Sequence, residues 1–452
     1  MSNSTLQTPT EDIPPALYGR LLPHPGISVS SLLSFSLPVQ LSGIFGTNHL
    51  KASDFWSIQE SVPMSDENLE RLCRLAVPSS SVLDLFLRDF PLALEANQIK
   101  SIIYAHLPTS NPASTTPFPL WVFSYWLRVS QIRQYARTPW TQAENWASSQ
   151  HLMRFSERKQ LASDVIDALG QIPWTGNISG FAESEPLIKI AGYLSSKWLA
   201  TTHIEQQLDL LRLRISRHHA SPTKYEIVGT HFFTKIIQLF RQRETSTYNG
   251  EIPSKGAHSI WTVGRELADQ SSRKTVVCGV LNVSNTHWVS VAVDVEMREV
   301  LFGDSLESNA KVREEVDGAV SWWLGFHFQS PHHFAFVDLK TSRQSDSFSC
   351  GVFAVNSIKH LVFPQDSLLQ THEALTERYR WFLATVERHN DVVCQVTVKL
   401  RSQSDHSNII VPRHRVGIPG CITPIRYPHI QGYFIGWQYC PRESLHPTSG
   451  SL

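Results

Sequence analysis

The sequence has few cysteines, no long apolar run and no excess of charge of either sign. Its six cysteines are scattered over 452 residues, and no two of them have the C-x-x-C spacing of a structural zinc site. No apolar run approaches the roughly 18 residues that a membrane span needs. Lysine plus arginine equals aspartate plus glutamate, at 40 each, so the basic excess typical of nucleic-acid or membrane-surface binding is missing. These absences predict no metal site, no nucleic-acid partner and no membrane. No cofactor is expected either, because no segment suggests a cofactor site.

The start of the chain lacks the basic and then apolar pattern of a secretion signal. The cysteines are also too few for a dense disulfide framework in a chain of this length. We therefore expect an intracellular protein, in the nucleus or the cytoplasm, where a single cysteine can persist as a reduced thiol.

Composition and hydrophobic periodicity divide the chain into four parts. Residues 1–45 are rich in Ser, Pro and Leu and are predicted to be irregular. Residues 46–165 are predicted to be mostly helical and are rich in tryptophan; their role is open, and such tryptophans form a core more often than a binding surface. After a turn-rich stretch at 170–186, residues 170–395 are predicted to form a catalytic domain. Residues 396–452, rich in Pro, Arg, His and Gly, are predicted to be an irregular tail.

Within 170–395 the hydrophobic period changes from helical to alternating and back. Helices are predicted at 188–214 and within 226–241. Strands are predicted at 275–283, 286–295, 299–303 and 333–339. Two further helices are predicted, one from Cys350 and one from about 367. This order predicts an α+β fold in which helices flank a central mixed or antiparallel sheet.

Four residues of this part have the chemistry that a thiol protease needs. Cys350 begins a helix whose dipole and free amides stabilise a thiolate, and Ser349 can cap that helix. His287 begins a strand and is the candidate base. Asp304 ends the following strand, so a hairpin of the two strands would place it beside His287, where it fixes the imidazole tautomer. Gln344, on the loop before Cys350, is the candidate oxyanion donor.

Each of these residues also has an ordinary structural explanation. A cysteine at a helix start is usually inert core, the chain has 20 histidines, aspartate is common where strands turn, and glutamine is common in loops. Their combination and spacing favour the functional interpretation.

The same residues resemble the ubiquitin-like-protein-specific protease family, whose members process and remove SUMO and whose clan includes the adenovirus endopeptidase. The resemblance rests on the order His, Asp, Cys and on His-Trp at 287–288, Asp-Ser at 304–305, Gln344 and Cys-Gly-Val-Phe at 350–353. Upstream, Tyr193-Leu-Ser-Ser-Lys-Trp198-Leu199 is similar to the family's Trp-Leu segment.

The resemblance implies a papain-like fold and a thiol peptidase or isopeptidase. The resemblance also implies that the partner of this protein is a ubiquitin-like modifier (SUMO or a relative) or a protein conjugated to it. The enzyme would cut after the Gly-Gly tail of the modifier, either to mature it or to remove it from proteins (deSUMOylation). His287, Asp304, Cys350 and Gln344 are the expected catalytic residues. Trp198, Trp288 and Gly351 are the expected substrate-binding residues, with the two indoles clamping the tail.

The sequence departs from the family pattern at two places. Ser349 stands where the family usually has an aspartate before the cysteine. Ala200 and Thr201 replace the acidic residues that follow the family's Trp-Leu segment. The resemblance therefore leaves the identity of the modifier open.

Three alternatives remain at this point. The same triad order occurs in bacterial effectors that transfer an acetyl group, although no segment here suggests a site for that cofactor. The chain can also be a modifier-binding module with weak catalysis, or a protease of mobile-element origin with an unknown substrate.

Overall fold

The computed structural model describes most of the chain up to residue 404. The described ranges are 12–41, 52–96, 99–104, 116–151, 156–218, 223–245, 248, 258–269, 274–306, 310–328 and 334–404. Most of the predicted tail, from 405 onward, lies outside them. No helix among the described residues has the length and apolar character of a membrane span.

The N-terminal part of the chain is mostly helical. Its elements are α1 (Pro15–Leu21), α2 (Val29–Ser34), β1 (Trp56–Ser57), α3 (Asp66–Arg74), α4 (Ser80–Glu95), β2 (Ser101–Ile102), α5 (Trp121–Ile132), α6 (Thr138–His151) and α7 (Ser156–Leu169). Serine side chains cap two of these helices: Ser28 accepts from the Ser31 amide and Ser65 from the Asn68 amide. The prediction that residues 1–45 are irregular is therefore wrong for α1 and α2.

The tryptophans of this part are core residues. Trp121, Trp126 and Trp140 are at most 5 % exposed. Trp126 packs edge-on against the Phe86 ring, with centroids 6.3 Å apart, and Phe86 stacks on Phe123 at 4.9 Å. The preference for a core over a tryptophan binding surface is confirmed for these three residues.

The second part of the chain contains the main sheet. Its elements are α8 (Thr201–His218), β3 (Lys224–Ile227), α9 (His231–Arg241), α10 (His258–Asp269), β4 (Thr275–Val283), β5 (His287–Asp294), β6 (Glu299–Gly303), α11 (Ala310–His327), β7 (Ala335–Asp338), α12 (Cys350–Val362) and α13 (Ala374–Ser404). The five strands lie in the order β3-β4-β5-β6-β7. The two outer pairings are parallel and the two inner ones antiparallel, so the predicted α+β fold with a mixed sheet is confirmed.

Both faces of this sheet are covered, as the uninterrupted apolar character of its central strands requires. Along β4, Cys278 and Val280 belong to a core shared with α8, α12 and α13. Val277 and Leu281 point to the other face and pack in a core shared with α9, α10 and α11. Side chains alternate between the two faces along a strand, so each face of the sheet has its own core. The helix α12, which begins at Cys350, lies on the face to which Cys278 and Val280 point.

The predicted helix at 188–214 is divided in two. A 3₁₀ turn at Leu187–Tyr193 is followed by a loop, and α8 begins only at Thr201. We call residues 194–200 the Trp198 loop. The predicted helix from about 367 likewise begins at Ala374, after a short 3₁₀ turn at Thr371–Glu373. It continues to Ser404, so the prediction that residues 396–452 are irregular is wrong for 396–404.

The core of the second part continues across residue 170. Trp140, Val165 and Leu169, from α6 and α7, are fully buried in the core that also contains residues of α8, α12 and α13. Arg158 of α7 donates to the carbonyl of His372 at 2.9 Å. The predicted boundary at 170 therefore cuts a continuous core, and the extent of the smallest folding unit stays a prediction.

Candidate active site

His287 is placed by a tight turn between β4 and β5. Ser284 and Asn285 occupy the left-handed region, with φ of 52° and 57°, and the Thr286 amide donates to the carbonyl of Val283 at 2.9 Å. Such turns match the twist of an antiparallel pair. The turn sets His287 opposite Val283 as the first residue of β5, at the end of the sheet where β6 also ends.

Asp304 follows β6 directly and contacts His287. The β5–β6 pairing sets Ser290 opposite Gly303, so the chain leaves β6 beside the start of β5. His287 Nε2 lies 2.6 Å from Asp304 Oδ1, and the two side chains are only 14 % and 8 % exposed. The same oxygen accepts from the Leu306 amide at 2.8 Å. The hairpin prediction is confirmed, and Asp304 can hold the imidazole with a proton on Nε2.

The surroundings of His287 favour its charged form. Burial lowers the pKa of the imidazole, but hydrogen bonding to Asp304 and to Cys350 outweighs burial and raises the pKa to about 9. The other ring nitrogen, Nδ1, is buried and makes no hydrogen bond to a nitrogen or oxygen of the described residues. Since Nε2 is occupied by Asp304, Nδ1 is the nitrogen available to the Cys350 thiol. A protonated imidazole beside this cysteine stabilises a thiolate.

Cys350 is the first residue of α12 and is 1 % exposed. The amides of the first turn of a helix have no intrahelical partner and favour negative charge there. Ser349 precedes the helix but does not cap it with its side chain; its hydroxyl instead lies 2.7 Å from Asp346 Oδ2. The expected capping by Ser349 is therefore wrong.

Asp346 organises the loop before the cysteine, residues 344–349, which we call the nucleophile loop. Its Oδ1 accepts from the amides of Phe348 at 2.9 Å and Ser349 at 2.8 Å. A carboxylate that bonds the amides two and three residues later is a common local turn. Asp346 is not among the residues predicted from the sequence, although an aspartate a few residues before a predicted helix start is typical of such a turn.

Gln344 has its side-chain amide oriented by two hydrogen bonds. Its Oε1 accepts from the Ser305 hydroxyl at 2.7 Å, and its Nε2 donates to the carbonyl of Asp346 at 2.7 Å. Its backbone amide also donates to the Ser305 carbonyl at 3.0 Å. A primary amide has two N–H groups, so one remains for an oxyanion. Ser305, next to Asp304, thus links the segment that follows β6 to the nucleophile loop.

The two predicted clamp tryptophans differ in burial. Trp288 is 2 % exposed and donates its indole N–H to the carbonyl of Leu199 at 3.0 Å. Trp198 is 41 % exposed and donates its indole N–H to the carbonyl of Ser347, in the nucleophile loop. Both indoles are therefore tied to the loops around Cys350.

Gly351 lies against Trp288. A Cβ at this position would come 2.8 Å from Ile204 Cδ1 and 3.2 Å from Trp288 Cδ1. A Cβ would require the Ile204 or Trp288 side chain to shift, so glycine favours the close approach of the start of α12 to the indole. The three predicted substrate-binding residues thus lie around the same helix start.

Residues 197–377 match the C-terminal catalytic domain of the Ulp1 protease family. These residues form a Ulp1-family cysteine protease domain. The match includes the Trp198 loop from Lys197 onward, the strands β3 to β7 and the whole of α12. None of the curated proteins compared with the chain matches it.

Solved structures similar to this chain include two Ulp1-type proteases and one bacterial effector protein. The yeast Ulp1 protease domain in complex with Smt3, the yeast ortholog of SUMO, is 12 % identical, with 52 % of this chain and 96 % of that one covered and a TM-score of 0.35. The Ulp1-like SUMO protease catalytic domain of Chaetomium thermophilum is 18 % identical, with 51 % and 89 % covered and a TM-score of 0.37. The Xanthomonas campestris effector XopD bound to ubiquitin is 18 % identical, with 40 % and 79 % covered and a TM-score of 0.27.

Across the described ranges, no group of three or more His, Cys, Asp or Glu side chains is arranged to hold a metal ion. The chemistry available at this site in the Ulp1-type domain is that of a thiol, an imidazole, a carboxylate and amide donors.

Proposed function

We propose that the chain is a thiol peptidase and isopeptidase that cleaves after the Gly-Gly tail of a ubiquitin-like modifier, SUMO or a relative. The observation that carries the proposal is the 2.6 Å contact between His287 and Asp304 beside Cys350, within a Ulp1-family domain. The same reaction matures a modifier precursor and removes the modifier from a protein.

In the proposed reaction the Cys350 thiolate attacks the carbonyl carbon of the last tail glycine. The carbonyl oxygen becomes an oxyanion, which accepts hydrogen bonds from the free N–H of Gln344 and from the backbone amide of Cys350. The His287 imidazolium then donates its proton to the leaving amine, and the C–N bond breaks. A thioester to Cys350 remains.

Hydrolysis of the thioester completes the cycle. Neutral His287 takes a proton from water as the water attacks the thioester carbonyl. The resulting imidazolium is held by Asp304, and the departing thiolate restores the starting pair. Asp304 itself keeps its charge throughout and acts by orienting and stabilising the imidazole.

The restriction to glycine rests on the crowding at the start of α12. A Cβ at Gly351 would lie 3.2 Å from Trp288 Cδ1, so the indole packs closely on the start of α12, and Trp198 projects from the neighbouring loop with 41 % of its surface exposed. A tail lying between these side chains has space only for residues without a Cβ. An intracellular location, nuclear or cytoplasmic, belongs to the same proposal because ubiquitin-like modifiers are intracellular substrates.

The test is covalent labelling of the purified full chain with vinyl sulfone probes built on SUMO, on ubiquitin and on related modifiers. We expect at least one Gly-Gly probe to add its mass to Cys350. The variant Cys350→Ala should not react, whereas Cys394→Ser, which removes an exposed thiol, should react like the wild type. Binding of a modifier without labelling would contradict the proposal and support a modifier-binding module instead.

A further inference from the structure

Arg378 is a fully buried arginine that reaches from α13 into the active-site region. The residue is 0 % exposed, which is rare for an arginine unless its charge is compensated. Its Nη1 donates to the carbonyl of Ser195 and its Nη2 to the carbonyl of Lys197. These two carbonyls lie just before Trp198, and the planar fork of a guanidinium suits two acceptors at once.

The same guanidinium lies next to the nucleophile loop. Its central carbon is 5.6 Å from the centroid of the Phe348 ring, within the range of a cation–π contact. Burial lowers the pKa of Arg378 to about 10, while the charges of Asp346 and Cys350 raise it. The side chain therefore stays cationic at neutral pH and lies close to the nucleophile loop and the start of α12.

The two loops that Arg378 contacts also touch each other directly. The indole N–H of Trp198 donates to the carbonyl of Ser347, one residue from Phe348. The Trp198 loop is thus joined to the nucleophile loop by one direct hydrogen bond and by one shared arginine. Removing the arginine would leave the hydrogen bond between the Trp198 indole and the Ser347 carbonyl in place.

We propose that Arg378 is a positioning residue that fixes the Trp198 loop against the nucleophile loop and so sets the slot for the modifier tail beside Cys350. The inference rests on the proposed function for its substrate, although the contacts themselves do not. Its predicted effect falls mainly on the binding of the tail. A smaller effect falls on Cys350, because the cation nearby favours the thiolate.

The test compares Arg378→Met and Arg378→Lys with a matched control on the same helix. Arg388 also donates from α13 to a backbone carbonyl, that of Gly180, at 3.1 Å. That carbonyl lies outside the two active-site loops, so Arg388→Met controls for loss of an arginine–carbonyl bond alone. Each full-length protein is assayed for kcat and KM on a fluorogenic Gly-Gly modifier substrate and for its thermal midpoint.

We expect Arg378→Met to lose about 10- to 100-fold in kcat/KM, mostly through KM, because small displacements of a binding group cost this much. Arg378→Lys keeps the charge but cannot bridge both carbonyls, so it should also raise KM. Arg388→Met should stay within about two-fold of the wild type. Values for Arg378→Met that match those of Arg388→Met would overturn the proposal.

A second readout is the pH dependence of Cys350 alkylation by iodoacetamide. This small reagent can react with Cys350 without binding in the slot for the modifier tail. Loss of a nearby cation should move the pH profile of alkylation to higher pH in Arg378→Met. Arg378→Lys keeps the charge and should keep the wild-type profile. If Arg378→Met does not fold, the proposal is tested with Arg378→Lys alone. A raised KM with an unchanged alkylation profile would support the proposal, and a wild-type KM would refute it. A wild-type chain that cleaves no modifier substrate contradicts the proposed function, and the alkylation profiles then test the placement of Arg378 beside Cys350 independently.

Discussion

Replacing Asp304 by asparagine removes one negative charge from the residue that holds His287 and leaves the shape of the side chain nearly unchanged. The amide oxygen can still accept from the Leu306 amide, as Asp304 Oδ1 does at 2.8 Å, so the turn after β6 should persist. What disappears is the charge-assisted contact at 2.6 Å between two side chains that are 14 % and 8 % exposed. The imidazolium then loses its main stabilising partner.

The size of the effect follows from the pKa of His287. In the folded protein this pKa is about 9, against an ordinary value of 6.5, and this difference corresponds to roughly 3 kcal/mol in favour of the imidazolium. Without the carboxylate, burial still lowers the pKa and only the contact with Cys350 raises it, so a smaller fraction of the imidazole should be protonated at pH 7. We expect kcat/KM to fall about 10²–10⁴-fold, equivalent to about 3–5 kcal/mol of transition-state stabilisation.

The assay is kcat/KM on a fluorogenic Gly-Gly modifier substrate at pH 7, with the thermal midpoint as a check of folding. Asp294→Asn is the matched control, because Asp294 is the last residue of β5, at the end of the strand opposite His287, and its Oδ1 accepts from the Met297 amide at 3.0 Å. That variant should remain within about two-fold of the wild type. An Asp304→Asn enzyme within ten-fold of the wild type would mean that another group orients His287.

Three further predictions concern pH, packing and the extent of the domain. The value of kcat/KM should fall near pH 9, where His287 loses the proton that the leaving amine needs, and a flat profile between pH 8 and 10 would contradict the assignment. Because the pKa of His287 is raised in the folded protein, the stability that this residue contributes is complete below pH 6.5 and is lost as the pH rises through 9. Gly351→Ala should lower the free energy of unfolding, measured with a chemical denaturant, by about 1–3 kcal/mol and should reduce activity, because the new Cβ lies 2.8 Å from Ile204 Cδ1. The control Gly325→Ala, where the new Cβ has nothing within 4 Å, should be neutral or stabilising. The fragment 170–395 should unfold at a lower temperature than the full chain, because it lacks α6 and α7, whose buried residues belong to its core; equal midpoints would restore the boundary at 170.

The sheet and the His–Asp contact could be predicted from the sequence because they depend on local patterns. The change from helical to strand-like hydrophobic patterning predicted β4 and β6 with the bounds that the structure has. Two adjacent strands joined by a short turn must pair antiparallel, so the start of one and the end of the other meet. For this reason His287 and Asp304, 17 residues apart, could be placed together.

The contacts that depend on distant segments could not be predicted in this way. Arg378 lies 181 residues from Lys197, and no local pattern indicates that a helix residue will bond the carbonyls of a remote loop. The burial of α6 and α7 against α13 has the same origin. The missed helices α1 and α2 are short, with 7 and 6 residues, and tertiary packing rather than helix propensity sustains helices of this length.

The most direct test of the central claim is mass spectrometry of the full chain after reaction with matched modifier probes that end in Gly-Gly and in Ala-Gly. We expect a covalent adduct on Cys350 with the Gly-Gly probe and no adduct after Cys350→Ala. Labelling with the Ala-Gly probe should be at least ten-fold slower, because its Cβ meets the crowded helix start. An adduct on another cysteine, or none on Cys350 with any Gly-Gly modifier probe, would contradict the assignment of Cys350 as the nucleophile of a modifier protease. Equal labelling by the two probes would contradict the glycine-restricted slot.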